Sequence, residues 1–299
     1  MRKETLGVLL AIAAALVSGV SIPANKVFVS GLDPLVFTAV RAILIGVVFL
    51  FLSLRFGRGT VHVRESWKAL AAIAVIGGAA AFFLFFSGLS LTTAGRAAFL
   101  QKTLPLFVAL LAFVFLKERL SRLHWGALGL MLLGLAGIAF ATISPAEFWT
   151  NPQLGDLLVI GATVLWAIET VISRKAMVDG ATSFVVVFAR MFFGGAILFG
   201  AVLLTKSLAA LLALTQAQLA SIGISTGLLF LYVLFFYGAL KLISAARAAT
   251  LLLLAPVVSL LISIGVLGEP APLLQLAGSA AILVGAFLVA RSRPEQVIA

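Results

Sequence analysis

Apolar runs long enough to cross a bilayer recur along the whole chain, each broken by a few polar, Gly or Pro residues. A spanning helix needs about 20 mainly apolar residues. Such runs lie at about Leu6–Val29, Pro34–Leu54, Trp67–Leu89, Ala94–Leu116 and Leu123–Thr142. A second set lies at about Leu154–Met177, Thr182–Leu204, Ala217–Leu240, Ala245–Leu267 and Ala271–Ala290. The pattern predicts an all-α polytopic membrane protein with ten transmembrane helices. The first run is too long, and too polar near Asn25, for a signal-peptide core. The longest connections, around 143–153 and 205–216, are short, so function must sit among the helices.

Composition agrees. Hydrophobic residues make up 63% of the 299 residues and charged residues 10%, against roughly 45–50% and about 25% in soluble domains. With no Cys, thiol chemistry, iron–sulfur ligation and disulfides are excluded. A net charge of +11 would suggest nucleic acid in a soluble protein, but here its placement matters more. One side collects Arg2, Lys3, Arg55, Arg58, Arg64, Lys68, Lys117, Arg119, Arg122, Arg174, Lys175, Lys241, Arg291 and Arg293. The other keeps Lys26, Arg96 and Lys206. The positive-inside rule then makes both termini cytoplasmic, and the basic balance is a topology signal.

The sequence also repeats. Leu6-Gly7 through Asn25 aligns with Leu154-Gly155 through Ser173 at an offset of 148, and Arg41 with Arg190 at 149. Phe85-Phe86 aligns with Phe235-Phe236 at 150. Arg96 aligns with Arg247, Glu118 with Glu269 and Gly134 with Gly285 at 151. Five spans per copy is an odd number, so the second copy enters from the opposite face. Residues 1–142 and 154–291 are expected to form two inverted five-helix repeats, joined by an external linker at 143–153 and followed by a cytoplasmic tail at 292–299. Inverted repeats are a recurrent transporter architecture, with the substrate site near the midplane between them.

Leu104-Pro105-Leu106, then Phe115-Leu116-Lys117-Glu118-Arg119-Leu120-Ser121, Trp125-Gly126 and Gly134, resembles the carboxy-terminal half of an EamA domain. The second copy carries it as Ala255-Pro256-Val257, Leu267-Gly268-Glu269-Pro270, Gly278 and Gly285. The resemblance covers essentially the whole chain as two such domains. It implies the drug/metabolite transporter superfamily, whose ten-helix members move small metabolites. Within it, the chain is similar to the bacterial aromatic amino-acid exporters.

Polar groups within a bilayer are costly and usually face a cavity or a partner helix. Ser18, Ser21 and Asn25 fall at i, i+3 and i+7 and share one helix face. Trp166, Glu169 and Ser173 are their repeat mates at the same spacing. The two stripes suit a cavity wall, although small polar residues also join helices. Trp166 lies about twelve residues into its span, where it either packs or offers a flat face and one N–H donor to an aromatic or cationic substrate. Phe82, Phe86, Tyr232 and Tyr237 add aromatic candidates on the third and eighth spans.

Gln101 and Lys102 lie in the fourth span. Lys102 is suited to a substrate carboxylate, to snorkelling or to pairing with Glu169. Glu169 is suited to a substrate ammonium or to proton carriage. Arg41/Arg190 and Arg96/Arg247 recur in both copies and are shallow enough to snorkel. An asymmetric metabolite has no need of identical groups on both sides, so these are expected to hold the fold. Lys102, Gln101 and Glu169 match Leu253, Leu252 and Ser21; these asymmetric positions are expected to recognise substrate. Pro105 and Pro256, with Pro23 near the outer end of the first span, are candidate hinges. Gly126, Gly129, Gly134 and Gly137, with Gly278 and Gly285, are expected to permit close helix contact.

His62 and His124 fall in cytoplasmic segments, and no metalloprotease or phosphate-cradling motif is present. No ring of like charges marks a pore. The reading is a secondary transporter of the bacterial inner membrane, not an enzyme, exporting small metabolites, amino acids including aromatic ones, by alternating access. It is expected to be a monomer or homodimer in the lipid bilayer, with a small-molecule substrate, no cofactor or metal and no nucleic acid. The alternatives are a proton-coupled multidrug or quaternary-ammonium exporter, and a membrane-embedded accessory protein or enzyme.

Overall fold

The computed structural model describes residues 3–28, 32–56, 63–146, 148, 151, 153–205, 214–268, 270–292 and 296–297. Among them are ten helices long and apolar enough to span a bilayer. They are α1 (Lys3–Phe28), α2 (Pro34–Phe56), α3 (Ser66–Leu89), α4 (Gly95–Phe115) and α5 (Arg122–Phe140). The second repeat supplies α6 (Leu154–Val178), α7 (Ser183–Thr205), α8 (Gln216–Leu242), α9 (Ala245–Val266) and α10 (Leu273–Arg291). Large apolar side chains such as Phe51, Leu133 and Leu204 stand exposed around the bundle. Such a surface needs lipid, not water. Beyond the helices, Glu118–Arg119 pairs antiparallel with Gln296–Val297.

The two inverted repeats interlock rather than sit side by side. The most extensive helix contacts are α5 on α10, α1 on α8, α3 on α6, α2 on α7 and α1 on α9, each joining one repeat to the other. In lipid, where apolar burial drives little association, close approach of backbones does this work. A Cβ on Gly134 would lie 2.4 Å from the Gly278 carbonyl oxygen, and one on Gly278 equally close to that of Gly134. Gly285 meets Met131 and the Ala127 carbonyl in the same manner. Gly137 makes only ordinary contact, and Gly126 and Gly129 face open space. The expectation of close packing therefore fails at those last two.

The interior prolines do not kink continuous helices. The chain makes a tightened turn at Lys102–Thr103 before Pro105, and a short 3-10 turn at Leu252–Leu254 before Pro256. Each Pro then occupies the first turn of the following segment, where its missing N–H costs nothing. The break thus precedes the proline, and it recurs in both repeats. Pro23 lies in helical backbone of α1, but its side chain falls outside the described residues, as do His62, Trp149 and Glu269.

α4 and α9 also end alike. Lys117 and its repeat mate Gly268 are both left-handed, at φ 54° and 66°. Glycine takes this conformation freely, whereas another residue is disfavoured. Lys117→Gly is expected to stabilise the protein by about 0.5–1 kcal/mol, read as a higher midpoint of detergent unfolding. An unchanged or lower midpoint would show that the lysine side chain compensates.

Candidate substrate cavity

The first four helices of each repeat enclose a cavity of about 300 Å³, the lower end of the range for small-molecule sites. α5 and α10 take no part. Ser18, Ser21 and Asn25 line it from α1, as their shared face requires, and Trp166 and Glu169 line it from α6. Phe82 and Phe86 come from α3, Gln101, Lys102 and Pro105 from α4, and Tyr232 and Tyr237 from α8. Of the binding candidates, only Ser173 stands behind the wall, fully buried. Its hydroxyl donates to Glu169 Oε1 at 2.6 Å. Pro256 does not reach the lining.

One wall is aromatic. Trp166 meets Phe82 edge to face at 5.2 Å and Phe85 at 5.4 Å, while Phe82 stacks on Phe86 at 6.3 Å. The indole N–H is not offered to the cavity. It donates to the Gly77 carbonyl at 3.2 Å, and the cause is local. α3 carries a π-helical run at Ile73–Ala80, in which the Ala81 N–H bonds Ile76, five residues back. The Gly77 carbonyl is thereby released from its usual helical partner. A second π run, Ala189–Phe193, carries Arg190 in α7. Such runs are rare and gather at functional sites.

Close packing at α3 also positions the charged groups beside this wall. A Cβ on Gly77 would sit 2.1 Å from Glu169 Cγ, and one on Gly78 would sit 2.3 Å from the Arg190 carbonyl oxygen. Glu169 is 2% exposed. Its Oε1 accepts from Tyr237 OH at 2.7 Å as well as from Ser173. Its Oε2 lies 3.4 Å from Arg190 Nε. The Arg190 guanidinium also lies over Phe82 and Tyr237, at 5.7 and 5.8 Å from the ring centres. Glu169 thus pairs with Arg190, not Lys102.

Arg41 and Arg190 both line the cavity, a place that the expectation of a fold-holding role did not include. None of the four repeated arginines snorkels; Arg41, Arg96, Arg190 and Arg247 are all buried. Arg41 Nη2 donates to the Ser225 carbonyl at 3.1 Å, and the guanidinium stacks over Phe37 at 4.5 Å. The Ser225 hydroxyl in turn donates to Asn25 Oδ1. Arg41 Nε is buried without a hydrogen-bond partner among the described residues. Lys102 is half-buried in the wall, and its ammonium makes no ion pair or hydrogen bond among the described residues.

The other repeated pair does hold the fold. Arg96 bonds Asp156 through Nε and Nη2, stacks on Phe148 at 4.4 Å and donates to the Asn151 carbonyl. Arg247 pairs with Glu4 and donates to the carbonyls of Val289 and Ala290 near the end of α10. Each therefore binds an acid near the start of the other repeat's first helix.

Toward the termini, further contacts join the two repeats. The left-handed turn at Lys117 aims Glu118 into the first turn of α9, where its carboxylate accepts from the amides of Ala245 and Ala246 at 3.0 and 3.3 Å. Ser244 accepts from the next amide, that of Arg247. Arg174 donates to the carbonyls of Leu240 and Lys241 at the end of α8 and lies 3.9 Å from Glu118. His124 joins the same region through Thr250 at 3.2 Å. Gly7 packs on Leu242 and Ile243 without room for a Cβ.

Sequence reasoning missed Arg41, Arg190, Gly77 and Gly78 as parts of the site. Adjacent glycines inside an apolar span, at 77–78 and again at 194–195, were the available signal, since they allow backbones to meet. The profile of the EamA-like transporter family matches residues 5–140 and 153–291. An uncharacterized transporter of Archaeoglobus fulgidus is 28% identical over 283 residues, covering 92% of this chain and 95% of that protein. The uncharacterized transporter YvbV of Bacillus subtilis is 27% identical, covering 91% and 87%. YoaV of the same organism, another uncharacterized transporter, is 29% identical over 58% of each chain. A solved crystal structure superposes with a TM-score of 0.75 at 20% identity, covering 95% of this chain and 97% of that one.

Proposed function

Because the chain belongs to the EamA-like transporter family, and is a membrane transporter rather than an enzyme, we propose that its central cavity carries small amphipathic metabolites, amino acids including aromatic ones, out of the cell. The observation that carries this reading is the meeting of an aromatic wall, Phe82, Phe85, Phe86 and Trp166, with polar side chains from both repeats in one cavity. Apolar lining with a few placed polar groups is what a small amphipathic ligand requires. The excess of Lys and Arg on the side of the termini supports a cytoplasmic placement for both ends in a bacterial inner membrane. In that orientation the contacts of Glu118, Arg174 and Gly7 tie the two repeats together on the cytoplasmic side, and alternating access requires them to part. The likeness to aromatic amino-acid exporters supports the outward direction.

Uptake of radiolabelled phenylalanine into liposomes containing only this protein, without an ion gradient, tests the proposal. Saturable uptake blocked by other unlabelled amino acids is expected. Absence of uptake, together with proton-gradient-dependent flux of an organic cation, would replace it with a multidrug exporter.

A further inference from the structure

The charges around the cavity do not balance, and the imbalance names the group the site recognises. Arg41, Lys102 and Arg190 line it against one acid, Glu169. That acid already has Arg190 beside one oxygen and two hydroxyl donors, Ser173 and Tyr237, on the other. With Arg190 at 3.4 Å its charge is already countered, which leaves little net attraction for a substrate ammonium. Arg41 and Lys102 form no ion pair among the described residues, and Arg41 Nε is buried without an acceptor. Buried cationic donors without an anion are costly, and a bound anion relieves that cost. Both residues border the space that the aromatic wall faces.

We infer that the cavity recognises its substrate through a carboxylate held by Arg41 and Lys102, with an apolar or aromatic body against Phe82 and Trp166, and leaves the substrate's ammonium unmatched. Aromatic monocarboxylates therefore bind at least as well as the corresponding amino acids, and the corresponding amines bind poorly. This rests on the proposal that small amphipathic metabolites occupy the cavity, and it specifies which of their groups matters.

Phenylalanine can be divided chemically to test it. 3-Phenylpropanoate lacks the ammonium, and 2-phenylethylamine lacks the carboxylate. Both are used against the full chain, as competitors of labelled phenylalanine in liposomes and as ligands that raise the thermal unfolding midpoint in detergent. 3-Phenylpropanoate is expected to compete at least as strongly as unlabelled phenylalanine, and 2-phenylethylamine at least about 10-fold more weakly. Loss of one charge-assisted hydrogen bond corresponds to about 10- to 100-fold in affinity, so Lys102→Met should weaken 3-phenylpropanoate by that factor. Arg41→Gln is the second variant, should the first fold poorly.

Stronger binding of the amine than of the acid would overturn the inference, as would an affinity for the acid that neither substitution changes. If phenylalanine is not carried but 3-phenylpropanoate still raises the unfolding midpoint through Lys102, the amino-acid reading fails and carboxylate recognition stands. No midpoint shift with 3-phenylpropanoate sinks carboxylate recognition, whether or not phenylalanine moves.

Discussion

Glu169→Ala is expected to destabilise the protein by about 3–5 kcal/mol, the range for removing one partner of a buried ion pair. The substitution strands Arg190, which is 8% exposed, and leaves the Tyr237 and Ser173 hydroxyls without their shared acceptor. Unfolding by SDS titration in mixed micelles measures the loss. Glu169→Gln keeps an oxygen for the two hydroxyls and removes only the charge, so its loss should be about 1–3 kcal/mol. A carboxylate held this firmly acts as an anchor for Arg190. Transport by Glu169→Gln should accordingly remain independent of a proton gradient, and a gradient-driven activity that disappears in this variant would make Glu169 a proton carrier instead.

Arg96→Ala should cost a similar amount, about 3–5 kcal/mol, although it lies away from the cavity. Its partner Asp156 has a side chain only 11% exposed, and the variant leaves that carboxylate with Thr92 as its side-chain donor. Arg247→Ala makes the comparison. Glu4 is 37% exposed at the side chain and can be solvated when its partner is lost, so the penalty should be about half as large or less. The same SDS titration serves both variants. Equal losses would mean that the carbonyl contacts of Arg247 near Val289 and Ala290, rather than its acid, carry the stability.

The ten spans were legible because the bilayer leaves the backbone little choice. A helix of about 20 apolar residues satisfies its own hydrogen bonds, and hydropathy reports that directly. The polar stripe of α1 was legible for a similar reason: Ser18, Ser21 and Asn25 share a face by helical spacing alone. Ser173 shares such a face with Trp166 and Glu169, yet it was drawn behind the cavity wall by the carboxylate one turn before it. The place of Arg41 and Arg190 at the cavity was not foreseen, because repetition was taken to mean scaffold. Among the described residues only Arg190 of this pair has an acid beside it, and sequence spacing does not reveal such a pairing across α6 and α7. The role of the Trp166 N–H was also hidden. It depends on a π run in α3, and no residue pattern announced that run beyond Gly77-Gly78.

The crossed clamps of Arg96 and Arg247 have a consequence for biosynthesis. A ribosome delivers the first repeat before the second, so for a time Arg96 awaits Asp156, Glu4 awaits Arg247, and Glu118 has no α9 amides to cap. The helix contacts that would offset those costs are also made with the half not yet inserted. A chain stopped near residue 145 should therefore be recognised as unfinished and degraded. Supplying residues 146–299 as a separate chain in the same membrane should protect it. The bond between the halves then matters chiefly for delivering them together, since their mutual fit is already written into the charges at the starts of α1 and α6.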